Sequence, residues 1–423
     1  MQVAEYSKFS GLVHAKHAGK RAPMEVSIEV THRCPLDCLH CYNNLPMGDS
    51  AARTSELTLD QHRLLLDQLQ DAGCLWLLYT GGEIFGRKDF PEIYKEAKKR
   101  GFLITLFTNG TLISPAIADM LAEWRPFAIE ITLYGATRET YEALTQIPGS
   151  FDRCMRGIQL LKDRGLPLKL KTVPTTVNRH EVYEMKRLAE EELGVEFKFD
   201  SLINPRTDCS QSPLAVRLLP EEVVALDYHD RKKQQEYRRL VERDIAESGQ
   251  APDSDQIYSC GGGVAGCAID PTGKMSICVI SHQESYDWRQ GSFREGWDTF
   301  LLQTRSRTRT RVTRCSDCKL RSVCSMCPAN GELEAGDPES PVDFLCEVAH
   351  LRAYALGLSV PAHGECPYCP GGAGYAGTME SARRIAAKQI DVGSWQPRER
   401  NLLPILQSNQ GCGASACGSC ATH

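Results

Sequence analysis

Three cysteines with the spacing CxxxCxxC, Cys34, Cys38 and Cys41, follow the short apolar stretch from Val26 to Val30. This spacing suits three corners of an iron–sulfur cube and leaves the fourth iron without a protein ligand. A cluster held by four thiolates is mainly an electron carrier, whereas an open iron can bind a small molecule and pass it an electron directly. The triplet therefore predicts chemistry at a metal centre.

Polar residues at predicted strand ends accompany the triplet. Thr80-Gly-Gly-Glu83 follows the second strand, where the glycines permit close backbone approach and Glu83 can accept charge-assisted hydrogen bonds from an ammonium group. Asn109 ends the third strand, and Thr132 and Tyr134 end the fourth. Glycine turns and polar caps are also common at strand ends in general, so each motif alone is open to a purely structural interpretation.

Together, the triplet and Gly81-Gly82-Glu83 resemble the radical S-adenosylmethionine (SAM) enzymes, whose signature CxxxCxΦC has an aromatic residue at Φ, where His40 stands. The resemblance implies a 4Fe-4S cluster on the three cysteines and SAM bound through its amino and carboxylate groups at the open iron. It also implies that one electron cleaves SAM to methionine and a 5′-deoxyadenosyl radical, which abstracts a substrate hydrogen. The residues expected to contact the cofactor are His40, Gly81, Gly82, Glu83, Asn109, Thr132, Tyr134 and Lys171.

One position departs from that pattern. Many members of the family have an arginine shortly before a Pro-Gly-Ser-Phe-like stretch, where it pairs with the methionine carboxylate. This chain has Thr145 in the corresponding segment, which ends at Pro148-Gly149, and threonine cannot form the ion pair. Lys171, near the end of the fifth predicted strand, is a candidate substitute, and a surface lysine is the alternative interpretation.

Short β-branched or aromatic runs alternate with amphipathic stretches over the first half of the chain, the pattern of repeated βα units around a parallel sheet. Six units are fewer than the eight of a closed barrel, so we expect a partial (β/α)6 TIM-like barrel with its site at the strand carboxyl ends. Capping signals such as Thr58 and Gly101 delimit the helices. The predicted strands are Glu25–Val30, Leu75–Tyr79, Leu103–Phe107, Ala128–Leu133, Leu168–Val173 and Glu196–Phe199, and the predicted helices are Thr58–Asp71, Phe90–Arg100, Ser114–Glu123 and Phe151–Arg164.

Eight more cysteines lie between residues 260 and 346, enough for two four-cysteine clusters. Structural zinc is the alternative, because CxxC pairs also suit a tetrahedral zinc ion. Their order resembles the SPASM extension of radical SAM peptide-modifying enzymes. One spacing differs, because two residues instead of three separate Cys324 from Cys327. The resemblance implies two auxiliary 4Fe-4S clusters, one on Cys260, Cys267, Cys278 and Cys327 and the other on Cys315, Cys318, Cys324 and Cys346.

Five further cysteines near the carboxyl terminus lie outside both arrays. They could form another metal or redox site, with His423 as an extra ligand. Alternatively, the Gly/Ala/Ser/Cys-rich tail resembles a ribosomal peptide and is itself a tethered substrate or a mimic of one. A flexible tail with incidental thiols is the third interpretation. These cysteines are Cys366, Cys369, Cys412, Cys417 and Cys420.

Composition limits the remaining possibilities. A net charge of -5 and a pI near 6.2 argue against nucleic-acid or anionic-membrane binding, and no apolar run could span a bilayer. Nineteen cysteines without a secretory signal indicate metal binding in the cytoplasm, while the isolated Cys74, Cys154 and Cys209 fit buried apolar positions. We expect five segments: an amino-terminal extension (1–21), the barrel (22–219), a connecting helix (220–250), the auxiliary-cluster domain (251–350) and a carboxyl-terminal extension (351–423).

Three classes of function compete. We favour modification of a ribosomally made peptide or protein by crosslinking or oxidation, with an electron donor such as flavodoxin or ferredoxin. Recognition of the peptide would need a separate recognition protein or a surface that the sequence does not identify. A small-molecule SPASM oxidoreductase acting on a tetrapyrrole or aminoglycoside is the second class. Sulfatase-type formylglycine maturation is the third, and it is disfavoured because Val279 occupies the position where such enzymes usually have an aspartate. No residue is assigned as a catalytic base.

Overall fold

One nine-stranded sheet organises the described part of the chain. A computed structural model describes residues 6–17, 19–246, 255–281 and 283–393. In these residues no helix is both long and apolar enough to cross a membrane. The strand order is β9-β8-β7-β1-β2-β3-β4-β5-β6, with parallel pairing from β7 to β6. The strands are β1 Glu25–Thr31, β2 Trp76–Gly81, β3 Leu103–Thr108, β4 Ala128–Thr132, β5 Leu168–Thr172, β6 Glu196–Phe199, β7 Gly266–Ile269, β8 Lys274–Ser276 and β9 Tyr286–Asp287.

Helices connect the parallel strands, and capping side chains explain where several of these helices begin. Thr58 forms a capping box with Gln61, and the Ser114 side chain accepts a hydrogen bond from the Ile117 amide. The first ten helices are α1 Tyr6–His17, α2 Ser50–Ser55, α3 Leu59–Asp71, α4 Phe90–Lys99, α5 Pro115–Glu123, α6 Arg138–Thr145, α7 Ser150–Asp163, α8 Val182–Arg187, α9 Pro220–His229 and α10 Arg231–Ala246. The others are α11 Phe293–Glu295, α12 Leu302–Arg305, α13 Arg321–Cys324, α14 Pro328–Ala335, α15 Asp343–Ala355 and α16 Tyr375–Ala386.

The predicted partial barrel is confirmed, and all six predicted strands occur within two residues of their predicted limits. Helix α6 was not predicted, although Thr137 caps it through the Thr140 amide. The predicted connecting helix is two helices, because the chain leaves the helical conformation at Asp230. Helix α15 runs across the predicted segment limit at residue 350.

The cysteine-rich region shares the barrel's sheet. Strand β7 pairs in parallel with β1, where Cys267 lies opposite Val26. The antiparallel β7–β8 pair and β9 extend the same sheet beyond that edge. The sheet therefore continues across the predicted boundary near residue 250, although the five-segment division itself stays a prediction.

A buried ion pair fastens the carboxyl-terminal helices to the barrel side. Arg352 on α15 donates to Asp227 on α9 at 3.1 and 2.8 Å, and both side chains are less than a tenth exposed. The Arg352 guanidinium also donates to the Val323 carbonyl at 2.7 Å. These contacts hold the helix that carries Cys346 against the rest of the molecule.

Candidate active site

The cysteine loop follows β1 and is held at its start by a buried ion pair. Arg33 donates two hydrogen bonds to the Glu56 carboxylate, at 2.8 and 2.9 Å, and both side chains are 6% exposed. The Thr31 hydroxyl donates to the same carboxylate. A bidentate arginine–carboxylate pair restricts both side chains, so the backbone that leads into Cys34 is fixed.

The carboxyl end of α6 holds the middle of this loop. The amides of Asp37 and Leu39 donate to the carbonyls of Thr145 and Leu144, each at 3.1 Å. Carbonyls in the last turn of a helix lack partners within the helix, so the loop satisfies groups that would otherwise be unpaired. The unpredicted helix α6 is thus part of the support of the cysteine triplet.

Both glycines of the Gly81-Gly82-Glu83 motif are required by close backbone approach. A Cβ atom on Gly81 would lie 2.2 Å from the Thr31 carbonyl oxygen, and one on Gly82 would lie 2.4 Å from the His32 carbonyl oxygen. Gly81 also has a φ of +124°, in a region that side chains disfavour. The glycines therefore permit a close approach between the backbones at the ends of β1 and β2, within this chain.

Glu83 is a buried acceptor that organises the end of β3. Its carboxylate accepts hydrogen bonds from the Thr108 hydroxyl at 2.6 Å, the Asn109 amide at 2.7 Å and the Phe85 amide at 3.2 Å. Burial raises the pKa of Glu83, while these hydrogen bonds act in the opposite direction. The side chain of Asn109 in turn donates to the Cys34 sulfur at 3.5 Å. Glu83 thus acts on the cysteine site indirectly, by positioning Asn109.

A cavity of about 390 Å³ lies at the carboxyl ends of β1 to β5. The three cysteines line it together with seven of the eight residues predicted to contact the cofactor. The eighth, Glu83, is not in the cavity lining and lies behind Asn109. The seven are His40, Gly81, Gly82, Asn109, Thr132, Tyr134 and Lys171.

His40 brings a neutral imidazole to the cavity. Burial lowers its pKa to about 4, so the ring is uncharged at neutral pH. The ring contacts Tyr134 edge-on, with 5.1 Å between the centroids. His40 Nδ1 is buried and has no hydrogen-bond partner among the described residues. A polar cofactor group in the cavity would satisfy this atom, since buried polar groups otherwise carry a desolvation cost.

Lys171 faces the cavity but already has an anionic neighbour. Its ammonium lies 3.3 Å from the Glu130 carboxylate and over the ring of Phe107. Burial lowers the pKa of Lys171 to about 8, and the Glu130 charge opposes that shift. Lys198 shares the same carboxylate at 2.9 Å. Sequence reasoning missed Glu130, although a glutamate inside the apolar strand β4 is the kind of signal that could have revealed it.

The second cysteine array forms two groups. Burial, and then the neighbouring Cys327 and Cys260, raise the pKa of the Cys278 thiol to about 11. These three cysteines belong to the first predicted auxiliary site. In the second, the Cys346 thiol forms hydrogen bonds with Cys315 and Cys324. A cavity of about 130 Å³ is lined by Cys315, Cys318 and Cys324 of the second site and also by Cys327 of the first, so the two sites are adjacent.

Cys267 lies apart from the first group, so the structure does not bring the whole predicted ligand set together. Its side chain is buried in the hydrophobic core, and its charged or thiol neighbours are Cys74, Arg21 and Glu25. Cys267 lies within β7, so pairing with β1 fixes the direction of its side chain. The described residues therefore bring three of the four predicted cysteines together.

We expect Cys267→Ala to retain the full iron content and Cys278→Ala to lose about four irons, the content of one cluster. The reason is that only the second substitution removes a thiol from the group with Cys260 and Cys327. Iron analysis of the anaerobically reconstituted proteins provides the measurement, with Cys74→Ala as the control for loss of a buried core thiol. Equal iron losses in the Cys267 and Cys278 variants would restore Cys267 as a ligand.

Of the five cysteines near the carboxyl terminus, the structure describes Cys366 and Cys369. Both are buried in the loop between α15 and α16. Cys412, Cys417, Cys420 and His423 lie outside the described residues, so the three interpretations of the tail stay predictions.

The fold and the cysteine site define a radical SAM domain. The family model described as the radical SAM superfamily matches residues 28–189, which begin within β1 and end after α8. The chain therefore contains a radical SAM domain, followed by a cysteine-rich region consistent with its SPASM-type relatives. The family uses a 4Fe-4S cluster and SAM, and its SPASM members carry auxiliary clusters. The predicted class and cofactors are confirmed at this level.

Particular relatives differ in what they act on. The AdoMet-dependent heme synthase of Methanosarcina barkeri is 26% identical over 334 residues, 75% of this chain and 94% of that protein. The mycofactocin maturase MftC of Mycobacterium tuberculosis is 26% identical over 321 residues, 74% of this chain and 80% of that protein. The crystal structure of Streptococcus suis SuiB bound to S-adenosylmethionine has a TM-score of 0.57 at 17% identity and covers 82% of each chain, which shows a shared fold.

Proposed function

We propose that this chain is a radical SAM oxidoreductase that abstracts hydrogen from a side chain of a ribosomally made peptide or protein. The observation that carries the proposal is the cavity of about 390 Å³, where Cys34, Cys38 and Cys41 meet polar residues from four strand ends. A bound cluster and SAM would supply the electron transfer and the radical that the protein side chains cannot. The residues of the cavity would bind, orient and shield them from water.

The residues present fit these cofactors. The cysteine thiols suit three irons and leave one iron free for SAM, as their spacing predicts. Asn109 already donates to the Cys34 sulfur at 3.5 Å, a contact that would stabilise a thiolate. The unpartnered Nδ1 of His40 offers one more polar contact inside the cavity. The Lys171 ammonium would have to contact the methionine carboxylate of SAM and the Glu130 carboxylate at the same time.

The size of the cavity suits a single substrate side chain and is too small for a whole tetrapyrrole ring beside SAM. Pockets for single ligands span about 300–1,000 Å³, and this cavity lies near the lower limit of that range. A substrate would insert one side chain beside SAM while its backbone stays outside. Part of the remaining wall is apolar, formed by Val173, Leu202, Ile203, Val279 and Ile280, while Tyr42, Asn43, Asn44 and Asn204 add uncharged polar groups. Such a wall suits an uncharged side chain close to the reacting carbon.

A small-molecule reaction on a tetrapyrrole side chain is the second candidate. The similarity to the heme synthase of M. barkeri, which extends over 94% of that protein, favours it. A propionate side chain could enter the cavity while the macrocycle stays outside. In both cases the electron would come from a donor such as flavodoxin or ferredoxin, and a peptide substrate could require a separate recognition protein.

Co-expression with short neighbouring reading frames tests the peptide proposal. We expect one encoded peptide to lose pairs of hydrogen atoms by mass spectrometry, and to remain unchanged beside the Cys34→Ala, Cys38→Ala, Cys41→Ala variant. The purified protein is assayed in parallel with SAM and an iron coproporphyrin deuterated in its propionates. Deuterium transfer to 5′-deoxyadenosine without peptide modification would replace the proposal by the second candidate. Unchanged peptides despite active SAM cleavage would overturn it, and altered mass of residues 409–423 would identify the tail as the substrate.

A further inference from the structure

Four metal-binding side chains converge in the carboxyl-terminal region, outside every cluster predicted above. His350 lies on α15, while His363, Cys366 and Cys369 lie on the loop that leads to α16. All four are buried, with exposures of 1%, 9%, 6% and 2% in that order. Neither histidine was recognised in the sequence. His350 is separated from the Cys-x-x-Cys pair by more than a dozen residues, whereas the His-x-x-Cys-x-x-Cys spacing of His363, Cys366 and Cys369 is a local signal that could have revealed His363.

Their spacing matches a single tetrahedral ion. One ligand atom from each residue lies within 4.8 Å of all the others. His350 Nε2 is 3.3 Å from the Cys369 sulfur and 3.5 Å from the Cys366 sulfur, and His363 Nδ1 is 3.3 Å from the Cys369 sulfur. Zinc–sulfur and zinc–nitrogen bonds of about 2.3 and 2.0 Å place such atoms about 3.5 Å apart at tetrahedral angles.

The surrounding contacts orient the ligands. His350 Nδ1 lies 2.7 Å from the Cys346 carbonyl oxygen, which directs Nε2 toward the two sulfurs. A backbone carbonyl that fixes the second nitrogen in this way is typical of histidines that bind metal. The Tyr368 amide donates to the Cys366 sulfur, and a turn closed from Gly372 N to Cys369 O, at 2.8 Å, shapes the Cys-x-x-Cys loop. A Cβ atom on Gly372 would lie 2.4 Å from the Pro367 carbonyl oxygen.

The same geometry disfavours an iron–sulfur cluster at this position. A cluster spreads its ligands over separate iron atoms, whereas these four surround one point. Within the described ranges, this is the group of His, Cys, Asp and Glu side chains that meets the single-ion distance criterion. Cys318 contacts His363, but its thiol is not a member of this group and it lines the second auxiliary cavity.

We propose that His350, His363, Cys366 and Cys369 hold one structural zinc ion. Four protein ligands close the coordination sphere, which is the arrangement of structural rather than catalytic zinc. The ion would tie the loop before α16 to α15, one helical turn after Cys346. It would therefore fix the helix that presents a predicted ligand of the second auxiliary cluster.

Metal analysis of the full-length, anaerobically reconstituted protein tests this proposal without requiring SAM cleavage. We expect about one zinc per chain in addition to the cluster iron. Cys366→Ser should lose the zinc and keep most of the iron, while Cys318→Ser should lose cluster iron and keep the zinc. Cys209→Ser, which removes a half-buried thiol outside both groups, is the matched control. Truncation after Ser408 should leave the zinc unchanged.

Cobalt substitution in the unmutated protein keeps the test decisive if a variant fails to fold. Co²⁺ bound by two thiolates and two imidazoles should show the visible absorption of a tetrahedral site. Zinc retained in Cys366→Ser, with or without a loss of cluster iron, or the absence of tetrahedral Co²⁺ absorption would overturn the proposal. None of these results bears on whether the amino-terminal triplet cleaves SAM, so the two proposals fail separately.

Discussion

Replacing Cys34, Cys38 and Cys41 together by alanine is expected to reduce 5′-deoxyadenosine formation from SAM to the level of protein-free controls. These thiols line the cavity, and they are the expected ligands of the predicted cluster whose open iron would bind SAM. The variant should keep roughly eight of twelve irons, because the auxiliary sites use other cysteines. Liquid chromatography of the nucleoside products and iron analysis provide the two measurements.

Cys154→Ala is the appropriate control for this experiment. Cys154 is fully buried in the core and belongs to neither predicted array. Its removal should leave SAM cleavage within about twofold of the unmutated protein, since a small core substitution affects packing and not the cavity. Persistent SAM cleavage in the triple variant would refute the assignment of the triplet.

Glu83→Ala should have the second largest effect, on stability and on SAM cleavage together. The substitution leaves the Thr108 hydroxyl and the amides of Asn109 and Phe85 without their acceptor inside the protein. Each unsatisfied buried group costs about 1–3 kcal/mol, so the free energy of unfolding should fall by roughly 3–5 kcal/mol after partial relaxation. Asn109 would also lose its position beside Cys34, and we expect SAM cleavage to fall at least about tenfold.

Thermal unfolding and SAM affinity distinguish two roles for Glu83. If it positions Asn109, Glu83→Ala lowers Tm, and Asn109→Ala reproduces much of the loss of SAM cleavage at a smaller loss of stability. Glu92→Ala, on the exposed side of α4, should change neither quantity. An unchanged Tm with strongly weakened SAM binding would instead show that Glu83 contacts the cofactor directly.

Local signals explain why the barrel was predictable. Apolar runs of strand length and the capping signals at Thr58 and Gly101 act within a few residues, and the structure contains each element they predict. Helix α6 was missed because it has only eight residues, most of them polar, and lies between two loops. Its stability comes from packing of Tyr141 and Leu144 into the core, which is a tertiary effect.

The direction of side chains was less predictable than their position in the chain. Lys171 was expected at the cavity and lies there, but its pairing with Glu130 depends on the register between β4 and β5. Glu83 was expected beside the cofactor, yet its carboxylate turns toward Thr108 and Asn109. Such contacts join neighbouring strands, and no spacing along one segment reports them.

The sequence by itself determined the class of this protein: the CxxxCxxC triplet, the Gly81-Gly82-Glu83 motif and the alternating strands and helices were sufficient for a radical SAM barrel. The tertiary structure decided which thiols meet. Pairing of β7 with β1 buries Cys267 away from Cys260, Cys278 and Cys327, and the return of the chain after α15 brings His363, Cys366 and Cys369 to His350. Ligand sets depend on the closure of long loops and on strand register, which are set by packing of the whole core and not by local spacing.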